Sequence, residues 1–451
     1  MGWSNQTLGD YCEVIAGQSP EGKYYNTDGQ GLPFYQGKKE FGDRFIGAPQ
    51  KWTTKVTKEA IDGDILMSVR APVGPINFST QKICIGRGLA SIRPSTKLNK
   101  DFLFYYLLSK QDEIVGNEGA VFASINKAQI EALSFSYVDI TEQKRIVALL
   151  DTVFADLEQT RAKTEQNLKN ARELMNVTFQ EAITGKLTKL WREANQNVVS
   201  ASDSLTQLKE QKNQFVNEKV ISKEKALPRL SKEEAPYELP ESWLWCRLGE
   251  IGNATNYPFV DGPFGSSINT KTDYIETGVP VLRMVNVKPF TYKNYNLKYV
   301  NEDKYQQFTR HNVLPGDVLF SKVGAGTGES CVVPDDFSYG MLSTTGITRI
   351  RVGQVVLNQY LCCFLNSNIK KFMILASKAA QPFLNMTQIK TFPFPLPPIE
   401  EQSEIVLILE RLSSEIQQVE AIYEKKLLAL DELKKSILQK AFNGELTTAA
   451  E

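Results

Sequence analysis

One histidine, His311, serves all 451 residues, and it follows Phe308-Thr309-Arg310 in a polar stretch. A lone histidine in such a setting is ordinarily structural or solvated, so imidazole acid–base catalysis is not expected. No HExxH helix, no paired CxxC and no Walker lysine loop occurs, which leaves metal and nucleotide sites without support. Gly324-Ala325-Gly326-Thr327-Gly328 follows the β-type run Asp317–Ser321, but it lacks the Gly-Lys-Ser/Thr ending and a following amphipathic helix. It reads either as a backbone-exposed loop approaching a phosphate or as a tight strand-to-strand turn. Methyl transfer to a flipped base requires an Asn/Asp-Pro-Pro-aromatic tetrapeptide. Pro397-Pro398 stands between Leu396 and Ile399, so that tetrapeptide is absent. The chain therefore reads as non-catalytic, with no catalytic, cofactor or metal residue assigned.

Polar and cationic residues on turns offer different chemistry. In the first half Gln36, Lys38, Lys39 and Arg44 surround Gly37 and Gly42, while Arg70 and Arg87 lie near the loop Pro72–Pro75. The second half offers Arg283, Asn286 and Lys288, then Ser321, Lys322 and Thr327, then Ser343, Thr344 and Thr345. Arginine and lysine suit guanine edges, asparagine and glutamine suit adenine edges, and hydroxyls reach phosphates. Singly, each is better explained as an ordinary solvated turn residue. As sets they are candidate DNA contacts, because both halves carry them in matching positions.

Those matching positions come from a repeat. Glu142–Thr188 aligns without a gap on Glu401–Thr447, with 16 of 47 positions identical, among them Glu142/Glu401, Gln143/Gln402 and Gly185/Gly444. Upstream the echo continues: Gly9 with Gly249, Gly63-Asp64-Ile65-Leu66 with Gly316-Asp317-Val318-Leu319, Gly88 with Gly346, Asn126 with Asn385. Two similar modules in one chain imply pseudo-two-fold symmetry, which suits a ligand that itself has two halves.

Each half follows one plan, and the predicted fold class is α+β. Residues 1–140 and 241–398 are rich in glycine, proline and aromatics, with short β-type runs between turn signals, such as Asp64–Val69 and Gly346–Ile350. Short helices are expected at Lys100–Ser109 and Asn358–Ser367. A long helix follows each module, over 141–188 and from 399 into the tail ending at 451. Asp139 or Thr141 caps the first, and Pro397-Pro398 opens the second. Apolar residues recur in steps of about four and three: Ile405, Leu409, Leu412, Ile416, Val419, Tyr423, Leu427, Leu430, Leu433 and Ile437 in the second copy. In the first they are Ile146, Leu150, Val153 and Leu157, then, after Thr160 and Thr164, Leu168, Ala171 and Leu174. Such a stripe over five heptads predicts a coiled-coil seam, the two helices packing on each other. Residues 189–240 are polar and rich in lysine and glutamate, and predict a linker with one solvated helix.

Composition adds bounds. A length of 451 residues suffices for two domains. No run of 18 apolar residues occurs, and the opening MGWSNQTLGDYCEV has neither a basic head nor an apolar stretch. Six cysteines without paired spacing suggest a reduced, cytoplasmic location. Net charge is zero, with residues 241–398 mildly basic and 399–451 acidic. That permits DNA binding and suggests weak binding by the chain alone.

Phe394-Pro395-Leu396-Pro397-Pro398-Ile399-Glu400-Glu401-Gln402, then a long helix closing on Asn443-Gly444-Glu445-Leu446-Thr447, resembles the specificity subunit of Type I restriction–modification systems. The first copy departs at Ser136–Thr141 but keeps Glu142-Gln143 and Thr184-Gly185-Lys186-Leu187-Thr188. Leu190-Trp191-Arg192-Glu193 and Leu239-Pro240-Glu241-Ser242-Trp243 are also similar, and the doubled order covers essentially the whole chain. The resemblance implies two target recognition domains, each reading half of an interrupted double-stranded DNA site. It implies an antiparallel coiled coil that sets their spacing. Two modification subunits carrying S-adenosylmethionine would dock on the chain, and restriction subunits would complete an ATP-dependent nuclease. Recognition domains vary within the family, so no base-reading residue carries over. Two other classes stay open on residues alone: a methyltransferase or nuclease with an unrecognised site, and an architectural coiled-coil adaptor.

Overall fold

Short apolar runs bounded by turn residues become strands, and the two halves pair them in the same order. The computed structural model describes residues 3–111, 114, 124–265, 267–343, 346–376 and 383–446. The chain divides into two compact units, Met1–Asn167 with Ile422–Glu451, and Leu168–Ala421.

In the first unit Ile65–Ser68 lies between Leu89–Pro94 and Ile76–Phe78, and Leu89–Pro94 also pairs with Cys12–Ala16, all antiparallel. Leu32–Tyr35 and Ile83–Ile85 are parallel neighbours in a second sheet, and Ser4–Thr7 pairs with Ser134–Tyr137. The second unit repeats each relation. Val318–Ser321 lies between Ile347–Ile350 and Ser330–Val332, with Phe259–Asp261 outside. Val279–Leu282 and Gly340–Leu342 are the parallel pair, and Leu244–Arg247 pairs with Pro393–Leu396. Central runs such as Ile65-Leu66-Met67-Ser68 are buried on both faces, which explains why they read as continuous apolar runs rather than alternating ones.

Ile140–Ile183 and Ile399–Phe442 are single helices of 44 residues each. Asp139 caps the first, its Oδ1 accepting from the Thr141 and Glu142 amides at 2.9 and 3.1 Å. Within the first unit they run antiparallel: Glu158 meets Lys434 at 3.1 Å, and Arg161, one turn on, meets Asp431, one turn back, at 2.5 Å. Within the second unit Arg172 meets Glu420 at 3.1 Å, while Ala182 and Ile183 share a core with Ile405 and Leu409. The expected stripe holds at Ile146, Leu150, Ile405 and Leu409, all buried, but not at Leu174 and Leu433, which are 56% and 46% exposed. Met175 and Lys434 are the more buried residues there. A helix of 3.6 residues per turn drifts against a 3.5-residue stripe, so a pattern followed on residue type alone loses the buried face.

The repeated glutamine locks each long helix to its module, joined in the second copy by the glutamate before it. Gln143 Nε2 donates to the Val138 and Lys97 carbonyls (2.8 and 3.3 Å) and its Oε1 accepts the Asn99 amide (2.7 Å). Gln402 Nε2 donates to Pro397 and Val355, and its Oε1 accepts Leu357 N, all at 2.9 Å. Glu401, fully buried, accepts from Thr188 Oγ1 at 2.6 Å, from Trp243 Nε1 at 2.8 Å, and from Arg192. The glycines of the closing motif, Gly185 (φ 75°) and Gly444 (φ 81°), take the left-handed turn that ends each helix. A Cβ on Gly185 would meet Pro240 at 2.7 Å, and one on Gly444 would meet Trp3 at 2.8 Å. The tryptophan opening each module thus lies in the same unit as the helix end of the other repeat.

The stretch between the repeats is more ordered than a polar linker. Helix Ala201–Asn217 buries Ala201, Leu205 and Leu208 in the core of the second unit, so its predicted solvation holds for one face only. Beyond it, the buried Arg247 donates to the Pro228 and Arg229 carbonyls (3.1 and 3.0 Å) and grips Glu234 through two bonds of 2.7 and 2.8 Å. Among the described residues, no helix is long and apolar enough to cross a membrane.

Candidate nucleic-acid interface

Because Leu32–Tyr35 and Ile83–Ile85 run parallel, the loops that leave them exit on one side. Gly86 N donates to Tyr35 O (2.8 Å), Gly88 N to Gln36 O (3.1 Å), and Val69 N to Gly88 O (3.0 Å), lacing three loops together. The result brings Gln36, Lys38, Arg70 and Arg87, from three separate stretches, onto one hollow of about 240 Å³. An adjoining hollow of about 430 Å³ shares Arg70 and Arg87 and adds Lys127, which pairs with Glu131 at 3.5 Å and which the sequence reading had passed over. Among the described residues, no carboxylate lines either hollow.

The arginines of this unit fall into two groups. Arg93 is bound to Asp64 by bonds of 2.8 and 2.9 Å, Arg145 to Glu142 at 2.8 Å, and Arg161 to Asp431 at 2.5 Å. Arg44 pairs with Asp101 (2.7 Å) and Asp151 (3.2 Å) and lies over the rings of Phe104 and Tyr105. It joins its loop to helix Lys100–Ser109 and the long helix, so its cation is already engaged. Arg70 and Arg87 are exposed, and among the described residues neither guanidinium has an acidic or hydrogen-bonding partner. Lys39 donates to Gln50 Oε1 at 2.9 Å and stands outside the hollow.

The second module uses most of its candidates internally. Asn286 is wholly buried; its Nδ2 donates to the Lys293 and Tyr295 carbonyls at 2.9 Å and its Oδ1 accepts Arg283 N. Lys322, 1% exposed, meets Asp261 at 2.5 Å. Thr327 is buried, its hydroxyl donating to Gly324 O in a short strand-to-strand turn, so the glycine-rich segment is the tight turn of the two readings. Ser321 and Ser343 are buried, and the Ser321 hydroxyl lacks a partner among the described residues. Arg283 donates to the Asn296 carbonyl, and Lys288 pairs with Glu329 at 3.3 Å. Thr344 and Thr345 lie outside the described residues. Sequence could not warn of these partners, since Asp261 stands 61 positions before Lys322. His311 is half-buried, its Nδ1 2.6 Å from the Asp261 carbonyl, and burial lowers its pKa.

The family model of the Type I restriction modification DNA specificity domain matches residues 1–168 and again residues 240–425. The chain belongs to this family. The putative type I restriction enzyme MjaX specificity subunit of Methanocaldococcus jannaschii is 40% identical over 190 residues, 41% of this chain and 43% of that relative. The match therefore spans less than half of that relative's length. The type I restriction enzyme EcoDI specificity subunit of Escherichia coli is 24% identical over 450 residues, covering 99% of this chain and 89% of the relative. Among solved structures, a chain from a study of complex assembly and conformational transition of the type I R-M system aligns with a TM-score of 0.69. It covers 98% of this chain and 97% of its own at 17% identity. The HsdS subunit from Thermoanaerobacter tengcongensis aligns with a TM-score of 0.56 at 17% identity over 98% and 97% of the two chains. At these identities the structures speak for the fold.

In this chain of the Type I DNA specificity family, Arg70 and Arg87 of the first module are the arginines left without an acidic partner among the described residues of their unit. Guanidinium forks, an amide and an ammonium in one place can donate to phosphate oxygens and to base edges. Among the described residues, no cluster of His, Cys, Asp and Glu has the arrangement of a metal site.

Proposed function

We propose that this chain is the DNA-specificity subunit of a Type I restriction–modification complex, each module reading one half of an interrupted duplex site. The observation that carries the reading is the doubled module with a cationic hollow on the first copy that no described carboxylate lines. Relatives named as specificity subunits, one matching nearly end to end, support it. In this reading Gln36, Lys38, Arg70 and Arg87 contact the first half-site, with Lys39 at the rim. Of the second module's candidates, Lys288 is exposed and Arg283 partly so, and these two serve the other half. The long helices act as a stiff spacer and as docking rails for two modification subunits carrying S-adenosylmethionine, with restriction subunits joining them. The chain supplies address rather than chemistry, and its zero net charge leaves it dependent on those partners for a firm grip on DNA.

The test is a gel shift of the full chain, with and without modification subunits, on bipartite DNA at fixed salt, followed by sequencing of the methylated products. Expected are weak binding alone, tight binding in the complex, and methylation confined to one interrupted sequence. A complex that methylates without sequence preference, or a chain that alone binds S-adenosylmethionine, would overturn the reading.

A further inference from the structure

We infer that the half-site read by the first module contains guanine, recognised by the paired guanidiniums of Arg70 and Arg87; the inference rests on the DNA-reading function proposed above. The six arginines of residues 1–167 are divided unequally. Arg44, Arg93, Arg145 and Arg161 each have a carboxylate at hydrogen-bonding distance. The two that have none among the described residues line the same two hollows, and no described acid lines either. Like charges held together without a counter-charge repel, and a ligand rich in acceptors relieves them.

The class of acceptor follows from how the cations are held. A phosphate asks for positive charge near the strand, and Lys38 and Lys39 supply that from flexible stems. Arg70 and Arg87 are presented differently. Their loops are tied by the Gly86–Tyr35, Gly88–Gln36 and Val69–Gly88 backbone bonds. At Gly88 the fit is so close that a Cβ would come within 2.3 Å of the Gln36 carbonyl oxygen. Arg70 is further fixed by a bridge to Ser124. Rigidly based planar forks match the O6 and N7 pair of guanine in the major groove, and Gln36 beside them matches adenine.

The second module is an internal control. Val323 occupies the place of Arg70, two residues beyond the central strand and bridged to Phe383 as Arg70 is to Ser124. Arg283, following the parallel strand as Gln36 does, donates to the Asn296 carbonyl, and its neighbours Met284 and Val285 are exposed. Apolar side chains there suit a thymine methyl rather than guanine. The arginine-dependent guanine is therefore assigned to the first half-site alone.

The experiment uses the full chain assembled with modification subunits on DNA randomised in both halves, the methylated molecules being sequenced. The wild-type complex is expected to select a half-site with at least one G·C pair. Arg70→Ala and Arg87→Ala should each lower discrimination at one G·C pair by about 5- to 150-fold and leave the other half untouched. Arg70→Lys should keep most of the affinity and lose the same discrimination. Both side chains are exposed, so the variants should melt with the wild type; if Arg87→Ala melts low, Arg87→Gln gives the same readout. An unchanged G·C preference with an even loss of affinity over all sequences would assign the arginines to phosphates and overturn the inference while sparing the DNA-reading function. Failure of the wild-type complex to select any bipartite sequence would overturn that function, and the inference with it.

Discussion

Replacing Gln402 with alanine isolates what the repeated Glu-Gln pair contributes. Its side chain is wholly buried and makes three hydrogen bonds of 2.9 Å, to the Pro397 and Val355 carbonyls and from the Leu357 amide. Truncation removes all three bonds at once and leaves the Leu357 N–H and Val355 carbonyl unpaired at the start of helix Asn358–Ser367, and the buried Pro397 carbonyl unpaired ahead of helix Ile399–Phe442. A stranded buried group of this kind costs about 1–3 kcal/mol, carbonyls at the low end because of their second lone pair. The expected loss is therefore about 3–4 kcal/mol in the second unit. Urea denaturation followed by tryptophan fluorescence measures it, and hydrogen exchange should locate it, with amides near Leu357 exchanging faster and those of residues 1–167 unaffected. Gln402→Glu sharpens the test. It retains an acceptor for Leu357 N but turns a carboxylate oxygen toward two carbonyls, so it should be at least as destabilising. A loss below about 1 kcal/mol for alanine, or a near-neutral glutamate variant, would refute the assignment.

Other outcomes follow from the same contacts. Arg44→Ala should lower stability by about 1–2 kcal/mol in a denaturant titration, its ion pairs being one-third exposed, and leave the methylated sequence unchanged. Lys322→Met should cost about 3 kcal/mol by stranding Asp261 beside the buried Thr348 hydroxyl; an equal loss in Lys322→Met/Asp261→Asn would show that the pair is not the cause. His311 is depressed below its unfolded value by burial, so it contributes stability above pH 6.5 that is lost as pH falls through its folded pKa; thermal melts of His311→Gln between pH 7 and 5 should show a flatter decline than wild type. Insertion of one heptad in both long helices adds about 10.5 Å, which is about three base pairs, and should lengthen the gap between half-sites by that amount. An unchanged gap in the methylated sites would end the spacer role.

Features written in contiguous sequence were legible beforehand. The two long helices were readable because their caps, stripe and terminal glycines lie in line along the chain. The parallel pairing of Leu32–Tyr35 with Ile83–Ile85 was not predicted, since it depends on contacts some fifty residues apart. That same distance explains why only some of the candidate DNA contacts face a hollow while others are engaged within the fold. Arg70 and Arg44 look equivalent in sequence, both cationic and beside turns. Only folding brings Asp101 and Asp151 to Arg44 and, among the described residues, nothing acidic to Arg70. Asn286 was misread for a related reason, because a short polar side chain that closes its own turn has the same local signature as one that faces a ligand. Lys127 was overlooked because it has no counterpart among the turn residues, sitting instead at the first position of a five-residue helix.

The first unit is discontinuous. Leu438, Ala441 and Phe442 belong to its core, and the Phe442 ring packs against Phe102 and Tyr106 at centroid distances of 5.2 and 5.3 Å. The second unit draws on one uninterrupted stretch, Leu168–Ala421. On a ribosome, where chains emerge from the N-terminus, the module translated first is thus completed last. Until residue 442 has emerged, a nascent chain displays an uncovered aromatic face, an opening for chaperones and for mispairing with a neighbouring polypeptide on the same messenger.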